Sequence, residues 1–172
     1  MSVAEIVVTT QYLTFKLGEE VYAVDISKVH EVLDFTTVTK VPRTPDFMRG
    51  VINLRGSVVP VVDLRLKFGM DWTEKTVNTC IIIMELRVDS ETTILGALAD
   101  SVQEVIDLES ENIEPAPRIG TKLKMEFIKG MGKHNDRFVI LLDIDKIFST
   151  EELVLVQEGK EEAIETVQEA GE

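Results

Sequence analysis

Two segments of this chain carry matching residues at matching spacings. Phe47-Met48-Arg49-Gly50 leads to Val61-Val62-Asp63-Leu64 and then to Phe68. Phe127-Ile128-Lys129-Gly130 leads to Leu141-Leu142-Asp143-Ile144 and then to Phe148. A second echo lies upstream of each. Val29-His30-Glu31-Val32-Leu33-Asp34 with Pro42 returns as Val102-Gln103-Glu104-Val105-Ile106-Asp107 with Pro115, and the later copy gains residues around 118–124. A duplicated unit constrains the fold more than any composition does. Each copy, on the order of 70 residues, buries too little surface to stand comfortably alone. The two copies are therefore expected to share an apolar seam and fold as one body.

Strand signals dominate both copies. In the first, residues 12–17 and 21–24 flank a turn at Gly18-Glu19-Glu20, residues 29–33 form another strand, and 51–54 and 57–63 flank Arg55-Gly56. In the second, strands are read at 79–86, 92–98, 102–108, 129–131 and 137–143. Leu64, Leu66 and Phe68 suit a short irregular or helical turn closed by Gly69. No long helices separate the strands, so small barrels are favoured over a parallel α/β sheet. Val58-Val59-Pro60-Val61-Val62 is apolar at both parities. One face should line its own barrel while the other meets the sister repeat. Pro60, lacking a ladder donor, belongs at an edge, a bulge or a barrel corner. Ser149 or Thr150 caps a helix, read at about 150–157. Residues 1–9 are expected to be a mobile tail, and 158–172 an acidic tail, helical or frayed.

Apolar residues make up 44% of the 172 positions, enough for a core. The net charge of −13 argues against nucleic acid and against anionic membrane surfaces, both of which call for Lys and Arg. The start of the chain lacks the basic leader of a secretion signal. Runs such as Cys80-Ile81-Ile82-Ile83-Met84 are far too short to span a bilayer. One cysteine forms no internal disulfide, as suits a reducing cytoplasm, and Cys80 reads as an inert core thiol.

No catalytic constellation assembles, and no cofactor or metal is expected. His30 and His134 lack metal-ligand spacing and read as exposed polar residues. Gly130-Met131-Gly132-Lys133 fails as a phosphate loop, because Phe127 stands where the first glycine belongs and His134 where Ser or Thr does. Asp63 and Asp143 invite comparison with a shared aspartate dyad. They lack the following Ser/Thr-Gly turns, and a structural role at the strand ends is the better reading.

The stretch from Gly50 to Arg65, Gly-Val-Ile-Asn-Leu-Arg-Gly-Ser-Val-Val-Pro-Val-Val-Asp-Leu-Arg, closely resembles the signature of the CheW-like domain family of bacterial chemotaxis coupling proteins. The resemblance runs from about Gln11 to Val156 and includes residues 15–26 and Ile113-Glu114-Pro115-Ala116-Pro117. It implies an all-β fold: two intertwined SH3-like five-stranded barrel subdomains packed on a shared apolar seam, with a short C-terminal helix. One CheW-like domain would span 10–157, with subdomain repeats at about 10–76 and 77–149. The small remainder implies a stand-alone coupler, without the additional domains of the kinase CheA or of CheV.

The resemblance implies a cytoplasmic adaptor, recruited to membrane receptor arrays without membrane insertion. Its partners would be the cytoplasmic tip of methyl-accepting chemoreceptors, the regulatory domain of the histidine kinase CheA, and other copies in array rings. Matching positions for the receptor are Val29, Glu31, Val32, Arg55, Cys80 and Ile81. Val29 and Val32 would meet an apolar stripe on a receptor helix, with at least one of them core instead. Arg55 would pair with a carboxylate or amide. Matching positions for the kinase are Phe35, Val38, Val41 and Pro42, with Glu114 and Ile119 in a second region whose residue types depart from the family's basic and aromatic choices. Alternatives are a scaffold of a non-flagellar pathway controlling motility or development and, remotely, an enzyme using an Asp63/Asp143 dyad.

Overall fold

In a computed structural model that describes residues 8–115 and 125–170, the chain forms two curled sheets and a C-terminal helix. The first copy supplies β1 (Thr9–Leu17), β2 (Glu20–Asp25), β3 (Val29–Asp34), β4 (Met48–Leu54), β5 (Ser57–Asp63) and the one-turn helix α1 (Leu64–Lys67). The second supplies β6 (Cys80–Val88), β7 (Glu91–Ala99), β8 (Ser101–Glu109), the two-residue β9 (Ile113–Glu114), β10 (Ile128–His134), β11 (Arg137–Leu142) and the one-turn helix α2 (Ile144–Ile147). Helix α3 (Thr150–Ala170) closes the chain. All ten strands read from the sequence are present, and β9 is added. The segment 116–124, which holds most of the inserted residues and Ile119, lies outside the described residues, as does 1–7 of the N-terminal tail.

The sheets do not follow the halves of the chain. One runs β8-β1-β2-β11-β10-β9 and the other β3-β6-β7-β5-β4. Each takes the opening hairpin of one copy and the remaining strands of the other. The exchange is symmetric. β2 pairs in parallel with β11, and β7 pairs in parallel with β5. A boundary near residue 76 therefore marks the repeat but does not separate the sheets.

The irregularities are duplicated too. Register shifts by one residue between Met48 and Gly50 on β4, and between Ile128 and Gly130 on β10. These bulges bend each hairpin at the same point. Next to them, the Asp63 N–H donates to the Phe47 carbonyl at 2.6 Å, and the Asp143 N–H to the Phe127 carbonyl at 2.8 Å. Pro60 faces Val51 one residue before β5 begins its parallel pairing with β7, so its missing N–H leaves no gap in that ladder.

Three apolar clusters result among the described residues. Ile52, Val59, Val61, Ile81, Ile83 and Leu98 fill one sheet, while Tyr12, Ala23, Ile106, Leu108, Val139 and Leu141 fill the other. The largest cluster lies between the sheets and takes Val62, with Val58 packed against it. Strand β5 is covered on both faces for that reason. The four repeated phenylalanines sit in this seam and pair across copies: Phe47 with Phe148 at 5.4 Å, and Phe68 with Phe127 at 6.0 Å. Burying each contributes on the order of 3 kcal/mol.

One charge enters the seam. The Lys67 ammonium lies 5.4, 5.5 and 5.8 Å from the rings of Phe47, Phe127 and Phe148, and donates to both oxygens of Glu152 at 2.9 and 2.6 Å. Glu152 also completes a capping box. Its carboxylate accepts from the Ser149 N–H at 2.9 Å, while Ser149 Oγ accepts from the Glu152 N–H at 3.0 Å. Ser149 is thus the cap of α3, and Thr150 donates instead to Asp89 at 2.7 Å. The helix continues past 157 because Gly159 and Ala163 are buried beside Leu153 and Val156. A Cβ at Gly159 would come within 2.6 Å of the Thr44 methyl, so the glycine that reads as a break permits close packing.

Burial, the largest influence, pushes the Glu152 carboxyl upward. The hydrogen bonds from Lys67 and Ser149 and the Lys67 charge outweigh it, and the group ends below its ordinary value of 4.5. A carboxyl depressed in the folded state stabilises at higher pH and loses that contribution as pH falls through the folded value. The stability advantage of the natural protein over Glu152→Gln is therefore expected to be full above the ordinary carboxyl range and to fade in more acidic solution. Urea denaturation of both proteins from about pH 7 to about pH 3 measures it. A difference that stays constant with pH would remove Glu152 as an acid-sensitive clasp.

Candidate functional site: a groove beside the Arg55 turn

Two features of the β3-β6-β7-β5-β4 sheet build an open groove. In β3, register with β6 shifts between Val29 and Glu31, leaving His30 as the extra residue. The bulge turns Val29 toward the central core and Glu31 toward the turn between β4 and β5. That turn has Arg55 at φ 50° and Gly56 at φ 87°, the left-handed pair of a type I′ hairpin, and Asn53 Oδ1 accepts from the Gly56 N–H at 2.8 Å. Arg55 Nη2 donates to both Glu31 oxygens, at 2.9 and 2.8 Å. That hydrogen bond, followed by the Glu31 charge, raises the guanidinium pKa further above its ordinary value. His30 reaches Glu85 on β6 at 3.5 Å.

The groove, about 390 Å³, is lined by these groups with Leu54, Ser57, Val59, Ile83 and Ile94. Its apolar floor beside a mutually paired acid and base suits an amphipathic surface better than a free ion. With Arg55 70% exposed, the pair is accessible to a partner. Arginine at positive φ is itself unusual, since Asn, Asp and Gly fill such positions far more easily. The second copy has Asn135 at φ 49° in the equivalent turn.

The residues suggested for receptor contact divide by burial. Glu31 and Arg55 meet each other, Val32 is 40% exposed but pairs with Ile82 on the opposite face of β3 from Glu31, and Cys80 is half-buried opposite Asp34, its thiol donating to the Asn78 carbonyl at 3.2 Å. Val29 packs on the central core. Ile81 is a correction: it is fully buried in the cluster of its own sheet and offers no surface to a partner. Two further groove residues escape the sequence reading: Leu54, the chain neighbour of Arg55, and Ile94, which only cross-strand register brings into the groove.

The residues suggested for kinase contact do not form one patch. Phe35 and Val38 pack, half-buried, against the cluster holding Leu54, and Lys75 lies 5.1 Å over the Phe35 ring. Pro42 is exposed on the same segment, which Thr39 ties to Val51 by two backbone hydrogen bonds. Val41 is a second correction, being 4% exposed and part of the central core. Glu114 is exposed on β9, which pairs with β10 in the other sheet.

The two repeated aspartates have unlike surroundings. Asp63 is fully buried and accepts from the Arg65 N–H, the Thr73 N–H, the Thr73 hydroxyl and Arg49 Nη1. Asp143 makes no side-chain cap and has Lys146 at 3.7 Å. Each carboxylate is engaged within its own strand end, so no shared proton site forms. Among the described residues no His/Cys/Asp/Glu group has the arrangement of a metal site, and no helix is long and apolar enough to cross a membrane.

Two interleaved β sheets with an open, non-enclosed groove define an interaction module. The CheW-like domain matches residues 11–152. The chain is 40% identical over 146 residues to the chemotaxis protein CheW of Klebsiella aerogenes, covering 85% of this chain and 86% of that one. It is 32% identical over 149 residues to CheW of Thermotoga maritima, covering 87% and 92%. The crystal structure of the scaffolding protein TtCheW from Thermoanaerobacter tengcongensis superposes with a TM-score of 0.72 at 33% identity, covering 88% of this chain and 96% of that one. The chain belongs to the CheW-like domain family of chemotaxis scaffolds.

Proposed function

We propose that this protein is a non-enzymatic adaptor that couples the cytoplasmic tips of chemoreceptors to the regulatory domain of the histidine kinase CheA, and so works in the cytoplasm at receptor arrays. The observation that carries the reading is the exposed Arg55–Glu31 pair on an apolar groove in a chain of this family. A receptor helix would lay an apolar stripe along Leu54 and Ile94, while Arg55 exchanges part of its bond to Glu31 for a receptor carboxylate or amide. The kinase would use the rim around Phe35, Val38 and Pro42, with Glu114 at the corresponding place on the other sheet.

The adaptor reading predicts co-elution with a receptor tip fragment and with the kinase regulatory domain, and kinase stimulation only with receptor present. Binding of neither partner at tens of micromolar would sink it. Arg55→Glu sets two carboxylates side by side and is expected to weaken receptor binding by roughly tenfold or more while leaving the fold intact. Arg55→Asn, comfortable at positive φ, is expected to weaken receptor binding with no loss of melting temperature. Unchanged receptor affinity in both variants, read by titration calorimetry, takes Arg55 out of the site.

A further inference from the structure

Helix α3 breaks the symmetry of the repeat. After α1 the first copy continues into a loop at 68–79, whereas after α2 the second continues into α3, which returns to pack on β4 and β5 of the first copy. The inner face of α3, with Leu153, Val156 and Ala163, shares the central cluster with Val41, Phe47 and Met48. Gly159 completes that face. A Cβ there would lie 2.6 Å from the Thr44 methyl, and 3.3 and 3.4 Å from Cε and Sδ of Met48. Glycine in a helix interior costs stability relative to alanine, so close approach, and not helix preference, accounts for it here.

What Gly159 approaches is the turn at 41–44. Val41 anchors that turn in the core, and the Thr44 hydroxyl donates to the Val41 carbonyl at 3.0 Å. Pro42 and Arg43 stand exposed between these two fixed points. Arg43 has φ 62°, a left-handed position that Gly and Asn fill far more easily, so the turn keeps its shape through its surroundings. The Thr39–Val51 bonds hold the chain upstream, and the buried Phe47 and Met48 hold it downstream. Against a side chain at 159, the helix is the stiffer partner. Glu152 is bonded to Lys67 and Ser149, and Leu153 and Val156 are buried one to two turns before Gly159. Thr44 would therefore give way, and the displacement would pass to Pro42 and Arg43.

We infer that Gly159 is a positioning residue for the exposed Pro42-Arg43 turn, and that α3 thereby sets affinity for the kinase regulatory domain without changing affinity for the receptor. The inference rests on the adaptor reading, in which Pro42 belongs to the kinase rim. No residue lining the Arg55 groove lies on α3 or within 39–48, so the receptor site serves as an internal reference.

The test compares the natural protein, Gly159→Ala, Thr44→Ser and the double variant by titration calorimetry against the kinase regulatory domain and a receptor tip fragment. Gly159→Ala is expected to weaken kinase binding roughly fivefold or more and to leave receptor binding unchanged. Serine at 44 removes the methyl that alanine would meet and keeps the hydroxyl bonded to Val41. Thr44→Ser is therefore expected to change little alone and to restore kinase binding in the double variant. Amide hydrogen exchange at Arg43 and Thr44 is expected to quicken in Gly159→Ala and to slow again in the double variant. With kinase binding by the natural protein established, three results overturn the inference alone: equal kinase affinity in Gly159→Ala, parallel losses for kinase and receptor, or no rescue by Thr44→Ser. A natural protein that binds no kinase domain at tens of micromolar overturns the adaptor reading and the inference together.

Discussion

Asp63→Ala is expected to destabilise the protein by about 3–5 kcal/mol, the cost of removing one partner from a buried charged network. The carboxylate is fully buried and accepts four hydrogen bonds, at 3.1, 2.7, 2.7 and 3.2 Å. It starts α1 through the Arg65 N–H and pins the following loop through Thr73. It also balances Arg49, which donates to the Thr73 carbonyl at 2.9 Å and lies 5.0 Å over the Trp72 ring. Alanine would strand donors on three residues at once. Asp143 occupies the same place in the repeat, yet its side chain is 29% exposed and its one charged neighbour is 3.7 Å away. Asp143→Ala is therefore expected to cost less than about 1 kcal/mol. Urea denaturation of both variants measures the contrast, and equal losses would show that the network around Asp63 adds nothing.

Gly50→Ala is expected to cost about 3 kcal/mol or more, combining a steric overlap with a disfavoured backbone. Gly50 has φ +145°, and a Cβ there would lie 2.0 Å from the Thr39 carbonyl oxygen and 2.6 Å from its carbon. Both are backbone atoms and cannot swing aside. The overlap falls on the Thr39–Val51 pairing, which holds the segment bearing Phe35 and Val38 against β4. Gly130 repeats the sequence position but meets the Ile113 methyl at 2.7 Å and the Glu114 carbonyl at 3.0 Å. A side-chain methyl gives way more easily, so Gly130→Ala is expected to cost less. Gly56→Ala, with nothing within 4 Å, isolates the backbone contribution alone. Thermal melts that rank Gly56→Ala as the most damaging of the three would refute this ordering.

Much of the candidate site was legible because its signals are local. Arg55-Gly56 reads as a hairpin turn from its own residues and is one. Ser149 or Thr150 reads as a cap, and Ser149 is the one, its partner Glu152 falling three residues later. The apolar run of β5 reads as covered on both faces and is, and the structure turns Val59 and Val61 to one cluster and Val62 to another. The burial of Ile81 and Val41 was not legible. A family position names a residue but carries no information about the angle at which its strand meets the next. The Lys67 cage was missed for a related reason: its three rings come from both copies, and one ion-pair partner comes from α3.

The sequence by itself determined the repeat, the strands, their turns and the covered faces of β5, because side-chain alternation and turn chemistry act over a few neighbouring residues. Only the tertiary structure decided that β1 and β2 leave their own copy to pair with β8 and β11, while β6 and β7 join β3 and β5. Equivalent strands in a duplicated chain present nearly equivalent edges, so local pattern does not choose between pairing within a copy and pairing across copies. The choice falls to the packing of the shared seam, where Phe47 meets Phe148 and Phe68 meets Phe127.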